Sequence, residues 1–186
     1  MKLKSYLNAG TLITMENGDQ KAIESLTEGD KVQTYLTSED FDMAHIGENE
    51  QNVCTISDVI EAEVDATDIV KLNFEDDVSL ITTNDQPIYG ASEETGWLVP
   101  NVEAMEKIIG RQNIDESEDV EGTGELAQEL QVGNTVHQDD GDTVADITLE
   151  SIENVEGIHT MYCLGITEEN ASFVFANNIL ICAGTL

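Results

Sequence analysis

What most constrains this chain is its punctuation: short runs rich in β-branched and aromatic residues, each bounded by a turn signal, recur along most of its length. Thr11–Met15 is apolar and runs into Glu16-Asn17-Gly18-Asp19, where Asn-Gly is a strong hairpin signal. Lys21–Ile23 reads as the return strand. Thr27-Glu28-Gly29-Asp30 then turns the chain into Lys31–Leu36, with Val32, Thr34 and Leu36 on one face. Further strands are predicted at Cys54–Glu63, Ile69–Phe74, Val78–Thr82, Trp97–Val99, Thr135–His137, Val144–Leu149, Thr160–Leu164, Ser172–Phe175 and Ile179–Cys182. Many short β segments predict a compact all-β domain, and residues 1–186 form one such domain with an insertion.

Two stretches depart from the β pattern. Ser38–Asn52 is polar and acidic and reads as a surface loop. Val102, Met105, Ile108 and Ile109 recur at helical spacing, which predicts a short helix over Val102–Ile109 stopped by Gly110. Asp115–Glu129 holds seven acidic residues around Gly122 and Gly124, so an exposed, partly helical acidic insertion is expected at about 102–129. A helical turn is admitted at Glu125–Leu130.

Charge narrows the function classes. The chain has 39 Asp and Glu against 7 Lys and Arg, a net charge of −32, and Arg111 is the sole arginine. Binding a phosphate backbone needs clustered cations, so direct nucleic-acid contact is not expected, nor is contact with an anionic membrane surface. No apolar run nears the ~20 residues of a bilayer span, and MKLKSYLNAG lacks the apolar region of a signal peptide, so a cytoplasmic location is expected. The acidity also suits a saline medium, where screening acts within roughly 8 Å. Cys54, Cys163 and Cys182 are few, odd in number and far apart, and read as buried apolar side chains.

The chain also repeats itself. Leu26-Thr27-Glu28-Gly29-Asp30-Lys31-Val32 and Leu130-Gln131-Val132-Gly133-Asn134-Thr135-Val136 share the pattern L-x-x-G-[DN]-x-V. In each, Gly supplies the positive φ of a turn and Asp or Asn bonds back to nearby backbone. Two such copies, each leading into a β segment, predict an internally duplicated fold.

These residues carry a family resemblance. Tyr6-Leu7-Asn8-Ala9-Gly10-Thr11-Leu12-Ile13-Thr14-Met15, with Asn17-Gly18, Ile23-Glu24, Leu26 and Gly29-Asp30-x-Val32, resembles the opening block of Hint domains, the module shared by hedgehog autoprocessing domains and inteins. Thr82-Thr83-Asn84-Asp85-Gln86-Pro87-Ile88 with Gly96-Trp97 is similar to the second block, T-x-x-H-P-x followed by a tryptophan. Leu130–Val136 is similar to the later L-x-x-G-D-x-V block. Tyr162-x-Leu164 and Phe173 to Ala183 resemble the closing pattern that ends in His-Asn. The resemblance implies a Hint-like, pseudo-two-fold β fold over nearly the whole chain, with the short helical, acidic insertion already noted.

It also implies a chemistry, and this chain departs from it at each reacting position. The family's first-block Cys or Ser attacks the preceding carbonyl, a second-block His protonates the departing nitrogen, and a closing His-Asn pair cuts the downstream bond. The matching residues here are Tyr6, Gln86, Cys182 and Ala183, and only Thr83 keeps the family type. A tyrosine phenol cannot reach its own backbone through the small ring a β-hydroxyl or thiol forms. Gln86 cannot titrate near neutrality, and Ala183 has no amide to cyclise. No catalytic residue is therefore expected, and the chain is expected not to be an enzyme. Ser5 is an alternative nucleophile one residue early, but with five residues before Tyr6 and three after Ala183 no released cargo is expected.

The remaining candidates have plain readings. His45, His137 and His159 lack metal-ligand spacing and are expected as surface or hydrogen-bonded side chains; no metal and no cofactor is expected. Asp139-Asp140-Gly141-Asp142 lacks EF-hand spacing and reads as an acidic hairpin turn. Trp97 is expected as a core anchor, and Asn177-Asn178 as the tight turn before the last strand. The resemblance extends to small free-standing Hint-like proteins among tailed-phage virion proteins. It implies an inactive structural component of a larger assembly, located in the virion, with other protein subunits as partners and no small-molecule substrate. Two other readings follow from the residues: an acidic DNA mimic that occupies a basic nucleic-acid-binding protein, and a residual self-cleaving Hint domain.

Overall fold

The structure is a computed structural model, and it describes residues 5–35, 46, 51–91, 96–105, 127–141, 143–167 and 173–183. Among the described residues there are fifteen strands: β1 (Leu7–Asn8), β2 (Leu12–Thr14), β3 (Gln20–Ala22), β4 (Lys31–Tyr35), β5 (Gln51–Asp65), β6 (Ile69–Phe74), β7 (Ser79–Thr83), β8 (Ile88–Tyr89), β9 (Trp97–Val99), β10 (Ala127–Glu129), β11 (Thr135–Asp139), β12 (Val144–Asn154), β13 (Ile158–Ile166), β14 (Phe173–Ala176) and β15 (Ile179–Cys182). All pair antiparallel except β9 with β10. The β14–β15 hairpin turns through Asn177 and Asn178 at φ 48° and 67°, the two consecutive left-handed residues of a two-residue type I′ loop.

The duplication is visible bond by bond. Gly29 and Gly133 take φ of 92° and 93°. The Gly29 N–H donates to Ile56 O at 2.9 Å, and the Gly133 N–H to Leu149 O at 2.8 Å. Ile56 N–H returns to Asp30 O at 2.8 Å, and Leu149 N–H to Asn134 O at 2.9 Å. The side chains of Asp30 and Asn134 each accept the backbone N–H three residues earlier, from Thr27 and Gln131, both at 2.7 Å. Leu26, Leu130, Val32 and Val136 are all buried; burying an aliphatic side chain contributes about 1.5–3 kcal/mol.

The halves then exchange strands. β4 pairs with β5 and β11 with β12, but β5 continues onto β13 of the second half, while β12 continues onto β6 of the first. Likewise β1 pairs with β13, and β7 with β6. β1 and β7 meet at Leu7 and Thr82, and the order of pairing is the same outward from this contact on both sides. Each half thus completes its sheet with the other's strands, and neither has a closed core alone.

The main core joins residues of both halves, including Leu7, Ile13, Val32, Ile56, Leu72, Leu80, Val136, Leu149 and Ile181. A second cluster on the far side of β14 and β15 holds Tyr35, Ile46, Tyr89, Phe173, Phe175 and Leu180.

Several expectations need correction. Residues expected in a helical turn at Glu125–Leu130 instead give β10, because Ala127 to Glu129 add to β9 in parallel register and Leu130 enters the core. The loop expected at Ser38–Asn52 ends early, since Gln51 and Asn52 pair with Tyr35 and Thr34, and Ile46 is buried in the aromatic cluster. The helix expected over Val102–Ile109 is helical at 102–105; the rest of it, Gly110 and residues 115–126 of the acidic insertion lie outside the described residues. β5 and β12 are far longer than predicted because each spans both halves. Trp97 is half-buried rather than enclosed, stacked on Phe173 at 5.5 Å and edge-on to Tyr89 at 5.1 Å.

Candidate functional site

The five positions singled out by sequence converge around the β7–β8 turn. The Tyr6 N–H donates to Thr83 Oγ1 at 3.1 Å, and the Thr83 N–H to Tyr6 O at 3.0 Å. Thr82 Oγ1 also donates to Tyr6 O, at 3.0 Å. Beyond Thr83 the chain makes a tight turn, closed by the Gln86 N–H on Thr83 O at 3.1 Å. The Ser5 hydroxyl donates to Asp85 O at 3.3 Å.

Gln86 is 1% exposed, and its side chain is bonded to the backbone of β15. Its Nε2 donates to Pro87 O at 2.9 Å and to Cys182 O at 2.7 Å. The Cys182 N–H donates in turn to Pro87 O at 3.0 Å. An amide –NH₂ has two hydrogens, and here both are engaged by carbonyls that fasten the end of β15 to the β7–β8 turn. Ala183 is buried beside them. The cleft among Ser5, Leu7, Gln86, Tyr162, Cys182 and Ala183 has a volume of about 10 Å³, the room that about one water molecule needs.

The electrostatics follow from burial. Removal from solvent pushes the Cys182 thiol up to about 12, so it carries essentially no thiolate at neutral pH. The Tyr6 phenol is also pushed up, by burial first and then by Cys163 and Asp85. Asp85, 5% exposed, is raised by burial against the opposing hydrogen bond from the Thr83 side chain. Asp85 escaped the sequence reading; the signal present was a lone acid between Thr83 and the apolar Pro87-Ile88.

The other candidates lie apart. His137 is buried on β11 with Nδ1 3.5 Å from Asp146 Oδ1 and its ring stacked on Tyr89. His159 bonds Asn8 Oδ1 at 3.0 Å and Glu156 O at 3.1 Å, and His45 lies outside the described residues. In the acidic hairpin turn, Asp139 Oδ1 accepts the Gly141 N–H at 2.9 Å and Asp140 Oδ1 the Thr143 N–H at 2.7 Å; Asp142 is outside the described residues. Among the described residues no group of three His, Cys, Asp or Glu side chains is placed to hold a metal. All three cysteines are free thiols and buried.

No protein-family model matches this chain, and no curated protein does. Solved structures do. A DnaB intein from Synechocystis sp. PCC 6803 superposes with a TM-score of 0.63 at 11% identity, over 97% of this chain and 99% of that one. An intein-like domain from Clostridium thermocellum gives 0.60 at 19% identity, over 97% and 99%. The PabCDC21-1 intein gives 0.62 at 12% identity, over 96% and 98%. The likeness covers both chains from end to end, and the fold is the Hint-like, mostly antiparallel β fold of these inteins.

Proposed function

We propose that this chain is a Hint-fold domain without peptide-bond chemistry, kept for its architecture as a component of a larger protein assembly. The observation that carries the reading is Gln86: where the resemblance calls for a titrating histidine, a buried amide ties two carbonyls. The buried Cys182 thiol and the methyl group of Ala183 support it at the other end of the site. For the assembly we take the virion of a tailed phage (capsid, neck, tail or baseplate), made in the host cytoplasm, by analogy with free-standing Hint-like virion proteins. Its partners are then other protein subunits, not nucleic acid, membrane or a small-molecule substrate.

Mass spectrometry of purified particles tests membership, with the intact chain expected at a fixed stoichiometry. Incubation of the purified protein with excess thiol should leave its intact mass unchanged. A thiol-dependent cleavage product would overturn the inactive reading in favour of residual self-cleavage. Absence from particles would overturn the virion assignment alone.

The DNA-mimic reading draws on a specific row. Glu61, Glu63 and Asp65 stand exposed on one face of β5. Alternate strand residues lie about 6.8 Å apart, twice the roughly 3.4 Å axial spacing of phosphates on one DNA strand. Two of the three are already bonded across the sheet, however, Glu61 to the Tyr162 hydroxyl at 2.8 Å and Glu63 to Thr160 Oγ1 at 2.7 Å. Binding to a basic nucleic-acid-binding protein that weakens steeply with salt would favour the mimic.

A further inference from the structure

β5 outruns the strand that covers it. Residues 51–55 pair with β4, and the turn before β4 closes over Ile56, which accepts the Gly29 N–H at 2.9 Å and donates to Asp30 O at 2.8 Å. β13 pairs along the opposite side of β5 as far as Asp65. Over residues 59–65, therefore, one side of β5 carries a ladder and the other, among the described residues, carries none. The chain that flanks this edge, residues 5–35, 51–91 and 143–167 without Asp142, is described throughout.

Which groups look outward follows from the alternation of an antiparallel pair. The Ala66 N–H donates to Gly157 O at 2.9 Å, so Val64, Ala62 and Ile60 also direct their N–H and C=O to β13. Those of Val59, Glu61, Glu63 and Asp65 then face the open side. A bulge at Ser57 reconciles this count with Ile56, which faces the same way: Asp58 and Ile56 lie opposite Gly165 and Ile166. Side chains alternate too. Glu61, Glu63 and Asp65 stand exposed on one face, and Ile60, Ala62 and Val64 are half-buried on the other. Glu61 and Glu63 hold Tyr162 and Thr160 with one oxygen each, which leaves the second oxygen for a cation.

A second copy fits this edge badly, because antiparallel pairing of the segment with itself sets like charges opposite one another. We infer that residues 59–65 of β5 are a docking edge for an extended strand of a protein partner in which Lys or Arg alternates with Val or Ile. The cations meet the three carboxylates on one face, and the aliphatic side chains prolong the apolar face on the other. Backbone pairing supplies the affinity and the alternation selects the partner. The matching edge of β12 differs: the Phe74 N–H on Val78 O turns Leu72 and Val70 towards β7, so their β12 partners Ile152 and Asn154, both uncharged, face outward. The inference rests on the reading of the chain as an assembly component and adds the contact. Particle membership is measured separately, so either can fail without the other.

The probe is the peptide acetyl-Val-Lys-Val-Lys-Val-Lys-Val-amide, titrated into the full chain at about 0.15 M salt and followed by NMR. Hydrogen exchange should slow at the Glu61, Glu63 and Asp65 amides and stay unchanged at Ala62 and Val64, which are already in the ladder. The same peptide N-methylated at its lysines keeps the charge but loses the donors that face β5, and should bind about tenfold or more weakly. Glu63→Pro removes an outward donor without touching a β13 backbone bond and should weaken the unmethylated peptide to a similar degree. Equal binding of the two peptides to the natural chain would overturn the inference whether or not the proline variant folds, because charge alone would then suffice. So would the absence of binding, or protection at Ile152 and Asn154 in place of the β5 amides.

Discussion

Replacing Gln86 by alanine tests the claim that this residue is a clamp. The N–H and C=O of a strand residue point the same way, and the Cys182 N–H points at Pro87 O, so the Cys182 carbonyl is aimed into the same turn with Gln86 as its donor. The Pro87 carbonyl keeps the Cys182 N–H at 3.0 Å when the amide is removed. The Cys182 carbonyl loses its donor, and a buried acceptor left unsatisfied costs about 1–3 kcal/mol. The space vacated by the side chain adds about 1 kcal/mol. The expected loss is therefore about 2–4 kcal/mol, which at a urea m-value near 2 kcal/mol/M lowers the midpoint by about 1–2 M with m unchanged. Gln86→Glu should cost more at neutral pH, since a carboxylate cannot donate and its charge is buried, and should recover toward acid. A midpoint within about 0.2 M of the natural protein for Gln86→Ala would show that the amide holds nothing, and the reasoning from its two bonds would fail.

Three further perturbations reach other parts of the fold. Asn177 Oδ1 accepts the Leu12 N–H at 2.7 Å and its Nδ2 donates to Ser79 O at 2.8 Å, so one side chain joins β2 and β7 of opposite halves. Asn177→Ala should cost about 2–4 kcal/mol in urea unfolding, and Asn177→Gly about 1 kcal/mol less because glycine tolerates the φ of 48°. Gly29→Ala and Gly133→Ala meet no atom within 4 Å of the added Cβ, so each should cost only the backbone strain of positive φ, about 1–2 kcal/mol. A difference above about 1 kcal/mol between the two would contradict the equivalence of the repeats. Cys54, Cys163 and Cys182 should all resist Ellman's reagent in the native state at neutral pH and all react once the chain is unfolded.

Much of the site was legible because turns are local. The T-x-x-Q turn, the two L-x-x-G-[DN] turns and the Asn177-Asn178 hairpin are written in residues that favour one backbone geometry wherever they occur. The resemblance to Hint-domain blocks, not the turns themselves, singled out Tyr6, Thr83, Gln86, Cys182 and Ala183, which the hydrogen bonds draw into one cluster. What Gln86 does there was not legible. Its partners are carbonyls at 87 and 182, and only the docking of β15 against β8 brings the distant one within reach. Asp85 is the same case, since an acid in a turn normally faces water and nothing local says that this one is covered.

From the residues alone came the strands short enough to be contained in one half, the turns between them, and the twofold repeat of a turn motif. Those features rest on backbone propensity and side-chain chemistry, which act over a few residues. Only the tertiary structure decided that β5 and β12 run through both halves, that β6 and β13 change places, that a would-be helical turn becomes β10, and that Ile46 is buried among aromatic rings. Each is a pairing between segments far apart in the chain. Such pairings are settled by which sheet edge is left open and which apolar face still needs cover, and neither exists until the rest of the fold has formed.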